Sequence, residues 1–146
     1  MTASQPNATP ADWPTKGQEF GPTDFGPFGP DALARYAAAS GDTNPLHLDE
    51  AVAKAAGLDA PPVHGMFMMS CFEPAIRAWR PDLVVARLSA KFLRPVLSGQ
   101  GFTLSGRVVR STEAPRPEAI LRLTARGMDG TLAIMGEATL LAPSAS

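Results

Sequence analysis

The stretch Pro62-Val63-His64-Gly65-Met66-Phe67-Met68-Met69-Ser70-Cys71-Phe72-Glu73-Pro74-Ala75-Ile76-Arg77-Ala78-Trp79 decides the architecture. A helix can start just after Pro61-Pro62 and run towards Trp79. Met66, Phe67, Met68, Met69, Cys71, Phe72, Ile76 and Trp79 would then cover most of its circumference. A helix that is apolar all round is a buried one. Pro74 has no N–H and crowds the preceding turn, so it should kink or locally break the helix at a cost of about 3 kcal/mol. Glu73 and Arg77 are spaced for an i,i+4 ion pair at the wetter end.

Downstream of Pro81 the period becomes two. Val84, Ala86, Leu88, Ala90 and Phe92 alternate with Val85, Arg87, Ser89 and Lys91, which predicts a half-buried strand. Phe102–Val108, Ala119–Arg126 and Leu132–Leu140 alternate in the same way. Pro115 and Pro117 separate the first two of these runs, and the turn dipeptide Asp129-Gly130 the last two. One more strand is expected near Gly17–Phe25. An antiparallel sheet with one polar face must close its other face over something apolar, and the third helix is the obvious filler. The expected fold is therefore α+β, a curved antiparallel sheet wrapped around one central apolar helix.

Upstream of the deciding stretch, Asp31 reads as the N-cap of a first helix that Gly41 closes. A second, short helix runs from about Asp49 to Ala56 and ends at Gly57. Six of the 15 prolines fall in the first thirty residues, more than folded chain normally carries, so residues 1–14 are expected to be a flexible tail. The domain proper then covers 15–142, and 143–146 form a shorter C-terminal tail.

Bulk composition narrows the function classes. Thirteen Lys+Arg against fourteen Asp+Glu give a net charge of −1, which excludes a strongly basic nucleic-acid binder. One cysteine forms no internal disulfide, and with two histidines it leaves too few soft ligands for a structural zinc site. The N-terminal residues lack the charged and apolar regions of a secretory signal, and no run of about 18 apolar residues exists to span a membrane. The expectation is a cytoplasmic protein with no metal and no membrane partner.

The chemistry concentrates in Gly41-Asp42-Thr43-Asn44-Pro45-Leu46-His47-Leu48. A carboxylate and an imidazole five residues apart on a proline-braced loop can converge on one water, one group removing a proton and the other steering or supplying one. Asn44 suits a backbone-fixing role in that turn. The same residues also fit a plain capped turn between two helices. At the start of the third helix, the Gly65 amide faces outward with room for a close ligand and could stabilise an oxyanion such as a thioester enolate, or Gly65 could merely allow tight packing. His64 fits a supporting hydrogen-bonding role better than proton transfer.

Tyr36-Ala-Ala-Ala-Ser-Gly-Asp-Thr-Asn-Pro-Leu-His-Leu-Asp, followed by Val63-His-Gly-Met, resembles the MaoC-like (R)-specific enoyl-CoA hydratases. The likeness extends through Phe92-Leu-Arg-Pro-Val and Met128-Asp-Gly-Thr, about residues 16 to 142. It implies the hot-dog fold and a homodimer with its acyl-CoA site at the subunit interface. Asp42 and His47 then match the catalytic dyad, Gly65 the residue whose N–H binds the thioester carbonyl, and Asn44 a loop residue that supports the dyad. Hydration of a trans-2-enoyl-CoA to the (R)-3-hydroxyacyl-CoA needs no cofactor, coenzyme A being part of the substrate. Met66, Phe67, Met69 and Phe72 are candidate walls of an acyl tunnel, though plain core packing explains each one better. Lys91, Arg94 and Arg107, with Arg110, are candidate partners for CoA phosphates, or simply solvated strand charges. The alternatives are a hot-dog acyl-CoA thioesterase and an acyl-CoA-binding subunit of a heterodimeric hydratase.

Overall fold

The alternating runs form the strands expected of them. In the structure, a computed structural model that describes residues 13–143, five strands make one antiparallel sheet: β1 (Glu19–Phe25), β2 (Val84–Phe92), β3 (Phe102–Thr112), β4 (Glu118–Gly127) and β5 (Leu132–Leu141). Their spatial order is β1-β3-β4-β5-β2, so β2 and β1 are the two edges. The register places Leu104 against Ala125, Leu121 against Ala138, and Ala90 against Gly136. One face therefore presents a continuous apolar surface, and the opposite face carries Arg87, Lys91, Arg107 and Arg122.

That apolar face curves over the helical hairpiece of the chain, but the single helix expected there is two pieces. Helix α3 (Gly65–Met69) stops at Ser70-Cys71, and α4 (Phe72–Trp79) begins immediately after. Pro74 explains where the break falls. It cannot donate to the carbonyl of Ser70, four residues back, and it sits in the first turn of α4, where no N–H is required. The Ser70 hydroxyl and the Cys71 thiol both turn to the Phe67 carbonyl across the break. Phe72 and Ile76 are completely buried against the sheet, with Phe102, Leu104, Leu121, Leu123, Ile134 and Leu140 around them. The expectation of burial all round needs correcting: the sheet is open, and Met66 on the uncovered side is 57% exposed.

Smaller corrections have local causes. Helix α1 (Pro30–Ser40) is capped by Gly29, with Pro30 at its first position, so Asp31 lies inside the first turn rather than at the cap. Asp49 does cap α2 (Glu50–Ala55), its carboxylate accepting from the Ala51 and Val52 N–H groups. Most of the expected N-terminal tail lies outside the described residues, as do residues 144–146. Trp13 and Pro14, assigned to that tail, are buried, and the Ser111 hydroxyl donates to the Pro14 carbonyl at 2.6 Å. Among the described residues no helix is long and apolar enough to cross a membrane.

Candidate active site

Three chain segments meet beside the uncovered end of α3. The first is the loop after α1, which Gly41 turns by adopting φ +82°, its N–H donating to the Ala37 carbonyl. Asp42 N–H then donates to Ser40 Oγ at 3.1 Å, and Asn44 N–H to Asp42 Oδ1 at 3.4 Å. Asn44 Oδ1 in turn accepts from Leu46 N–H at 3.0 Å and caps a single 3-10 turn, Pro45–His47. This is the backbone-fixing role the sequence suggested for Asn44. The second segment is Pro62–Gly65, tied to the β2–β3 connection by the Val63 N–H, which donates to the Val96 carbonyl at 2.7 Å. The third is the end of β2, at Phe92.

Asp42 and His47 do converge. Asp42 Oδ2 lies 3.9 Å from His47 Nε2, with the carboxylate side chain 50% exposed and the imidazole 16%. His47 Nδ1 is 2.8 Å from the Pro62 carbonyl. A carbonyl oxygen only accepts, so Nδ1 carries the hydrogen, and the lone pair of the neutral ring is on Nε2, facing the carboxylate. At 3.9 Å the two groups are too far apart for a direct hydrogen bond. Two bonds of about 2.8 Å meeting at roughly a right angle on one water span that gap.

His64 lies beneath them, 1% exposed. Its Nε2 donates to the Asp42 main-chain carbonyl at 3.1 Å, and its Nδ1 is buried with no partner among the described residues. Its ring stacks on His47 with centroids 4.0 Å apart and planes at 22°. A row of ring contacts continues inward: Tyr36 is tilted against His64 at 4.8 Å and stacked on Phe67 at 4.7 Å, Phe67 meets Phe28 edge-on, and Phe28 stacks on Phe102. Burial is the main cause that pulls the His64 pKa below its ordinary 6.5. The bond to the Asp42 carbonyl opposes it, nearby His47 reinforces it, and the Asp42 charge opposes it again.

Gly65 opens α3, and its N–H has no acceptor among the described residues. A Cβ here would stand 2.8 Å from Phe92 Cε1 and 2.9 Å from Cδ1, so the Phe92 ring lies directly against this glycine. Phe92 is itself 49% exposed.

A cleft of about 740 Å³ runs past His47, lined by Leu33, Ala34, Leu48, Ala60 and Pro61, with Asp31 and Glu50 also on its wall. None of Met66, Phe67, Met69 or Phe72 lines it. Phe72 is sealed in the core, Phe67 belongs to the ring stack, Met69 is half-buried and Met66 is open to solvent. The cationic candidates are not gathered either. Lys91 faces Met135 on β5, whereas Arg107 stands between Glu19 and Arg122, three strand spacings or about 14 Å across the outer face. Arg94 borders a separate hollow with Asp129, and Arg110 is exposed opposite Ile120.

The Asp42 carboxylate and one ring nitrogen each of His47 and His64 lie within 4.8 Å of one another, the donor types of a transition-metal site. His64 Nε2 already donates to a carbonyl, as does His47 Nδ1, so the free donors facing one another are His47 Nε2 and the carboxylate. Three contributors escape a reading of the sequence. The Pro62 carbonyl is a main-chain atom. The Tyr36 ring sits in the quoted motif, six residues before Asp42, without any chemical signature of its own. Phe92 reads as an ordinary inward strand position.

The MaoC-like domain model matches residues 5–120. The (R)-specific enoyl-CoA hydratase of Aeromonas caviae is 35% identical over 118 residues, 80% of this chain and 87% of that protein. A mitochondrial 3-hydroxyacyl-acyl-carrier-protein dehydratase of Solanum lycopersicum is 33% identical over 119 residues, 80% and 72% of the two chains. Among solved structures, the (R)-hydratase of A. caviae superimposes with a TM-score of 0.79 at 33% identity, covering 88% of this chain and 97% of that one. An R-hydratase of Pseudomonas aeruginosa in unliganded form gives 0.78 at 26% identity, covering 90% and 83%. The sheet order, the enclosed helical pair and these matches together give one conclusion: the chain is a single hot-dog domain and belongs to the MaoC-like domain family.

Proposed function

We propose that this protein adds water across the double bond of a trans-2-enoyl-CoA to give the (R)-3-hydroxyacyl-CoA, and catalyses the reverse dehydration. The observation that carries the reading is the 3.9 Å gap between Asp42 Oδ2 and His47 Nε2, with His47 Nδ1 committed to the Pro62 carbonyl. His47 is then the base. A water in the gap donates one hydrogen to Asp42 and the other to Nε2. The Gly65 N–H donates to the thioester carbonyl oxygen and draws electron density away from the β-carbon. As the water oxygen bonds to that carbon, its proton passes to Nε2, and the electron pair of the double bond moves into the enolate. The α-carbon then takes a proton back from the imidazolium, so that the net change is one water added. Asp42 faces the imidazolium while it exists. A positioned base contributes about 10²–10⁴-fold and one oxyanion donor about 2.7–4 kcal/mol. Neither step requires a cofactor.

The test is the loss of enoyl-thioester absorbance with crotonyl-CoA and a longer enoyl-CoA. Asp42→Asn and His47→Gln should each remove most of the rate with the fold intact; undiminished turnover in both would end the reading. Release of free CoA from a saturated acyl-CoA would point instead to the thioesterase alternative. A second carrier has specific support, because the tomato relative is a dehydratase of acyl-carrier-protein thioesters. The same enoyl group on both carriers decides between them.

We infer, further, that the working unit is a homodimer joined along β2. The other edge, β1, carries Pro22, which discourages pairing. Edge β2 has nine residues and no proline, and exposes Val84, Phe92 and Leu93, with Met66 among the exposed large apolar residues of the molecule. A copy laid along β2 would cover the open side of α3 next to Gly65. Light scattering should give twice the chain mass, and Leu93→Glu should halve it.

A further inference from the structure

His64 occupies a place that packing alone does not account for. A phenylalanine would fill the same space between His47 and Tyr36 and leave no nitrogen stranded, yet His64 Nδ1 is buried without a partner among the described residues. Its other nitrogen bonds the main chain of Asp42, 22 residues away, while its ring face lies 4.0 Å from the His47 ring. The residue therefore touches both members of the pair, and at 1% exposure it reaches no substrate.

We propose that His64 is a positioning residue for Asp42 and His47: its Nε2–H holds the Asp42 carbonyl and its ring backs the His47 imidazole, fixing their separation, while His64 itself transfers no proton. Burial keeps it neutral, consistent with the donor role of Nε2. The two contacts are separable. His64→Phe keeps a ring against His47 and removes the bond to Asp42. His64→Gln can restore an N–H donor at the same reach and removes the stack.

The kinetic arm rests on the hydration reading above; the spectroscopic arm does not. In crotonyl-CoA hydration, His64→Phe should lower kcat about 10- to 100-fold with KM within about threefold, because a loosened carboxylate misplaces the water rather than the substrate. His64→Gln should recover much of that loss. The chain has two histidines, so in either variant the remaining imidazole resonances belong to His47. In the free protein, those ring protons should lose the shielding of a stacked neighbour in His64→Gln and keep it in His64→Phe. A raised KM at unchanged kcat would place His64 on the substrate and overturn the proposal. So would a His64→Phe loss as deep as that of His47→Gln with no recovery in His64→Gln, which would make it a proton carrier. Identical His47 ring shifts in wild type and His64→Gln would equally overturn it. An inactive wild type would sink the hydration reading and leave the ring shifts to decide this one.

Discussion

Gly65 and Phe92 are linked tightly enough to predict a sign reversal. In Gly65→Ala the new methyl would stand 2.8 and 2.9 Å from two carbons of the Phe92 ring and 3.3 Å from a third. Carbon atoms prefer about 3.5–4.0 Å, so the overlap amounts to about 0.7 Å on two atoms. The backbone of Gly65 is not left-handed, so alanine meets no backbone strain. Either α3 shifts, at the usual overpacking cost of about 1–3 kcal/mol, or Phe92 swings out. A phenylalanine buries about 150–250 Å² when fully enclosed, and this one is half enclosed. Swinging it away therefore forfeits about 100 Å² at about 25 cal/mol per Å², or about 2.5 kcal/mol, an upper bound. Gly65→Ala should thus destabilise by about 1–2.5 kcal/mol. In a Phe92→Ala background the clash is gone and alanine's better helix propensity remains, so the same change should be neutral or stabilising by a few tenths of a kcal/mol. Urea denaturation of the four proteins gives the coupling directly, expected at about 1–3 kcal/mol. An equal cost of Gly65→Ala in both backgrounds would refute the contact and, with it, the view that Phe92 walls the Gly65 amide.

Other expectations follow from the same geometry. Asp42→Asn and His47→Gln should lower kcat by about 10²–10⁴-fold in the enoyl-CoA assay, and Asp42→Asn should melt close to wild type because its carboxylate is half exposed. His64 has a lowered pKa in the folded protein, so the unfolded chain takes up its proton first: stability should fall as pH drops below about 6.5, and thermal melts of His64→Phe should lack that component. Asp82 is held below its ordinary 3.8 chiefly by hydrogen bonds from Arg80, so its contribution is present above that value and fades as pH falls through the lower folded one. Asp82→Asn weakens two charged hydrogen bonds to a nearly buried guanidinium and should cost about 1–2 kcal/mol in urea melts.

The fold was legible wherever a local rule operated undisturbed. Gly41, Asp49 and Gly57 mark helix ends by backbone angle or side-chain capping, and β2 to β5 announce themselves by alternation. Strand β1 is fainter because Gly21 and Pro22 interrupt its period. Trp13 was masked by the prolines around it, since composition carries no information about a single ring that finds the core. Pro74 signalled a break in the buried helix, but its position depended on which carbonyl the proline leaves unserved. In the site, Asp42, Asn44 and His47 were readable because they share one short loop. The contacts that fix their chemistry were not. His47 meets a main-chain carbonyl 15 residues away, His64 a carbonyl 22 away, and Gly65 a ring at the end of β2. Such partners are set by how the sheet brings segments together, which no local pattern encodes.

The column of rings from His47 through His64, Tyr36, Phe67 and Phe28 to Phe102 ties a surface loop to the interior of the sheet. Exposed loops ordinarily open by themselves, long before the rest of a domain, and their amides exchange with solvent accordingly. Here the turn that holds the Leu46 and His47 amides also carries the ring that packs on His64, the outer member of a row that ends at Phe102. Their deuterium uptake should therefore be slower than that of an ordinary exposed turn, so that this loop ages with the core.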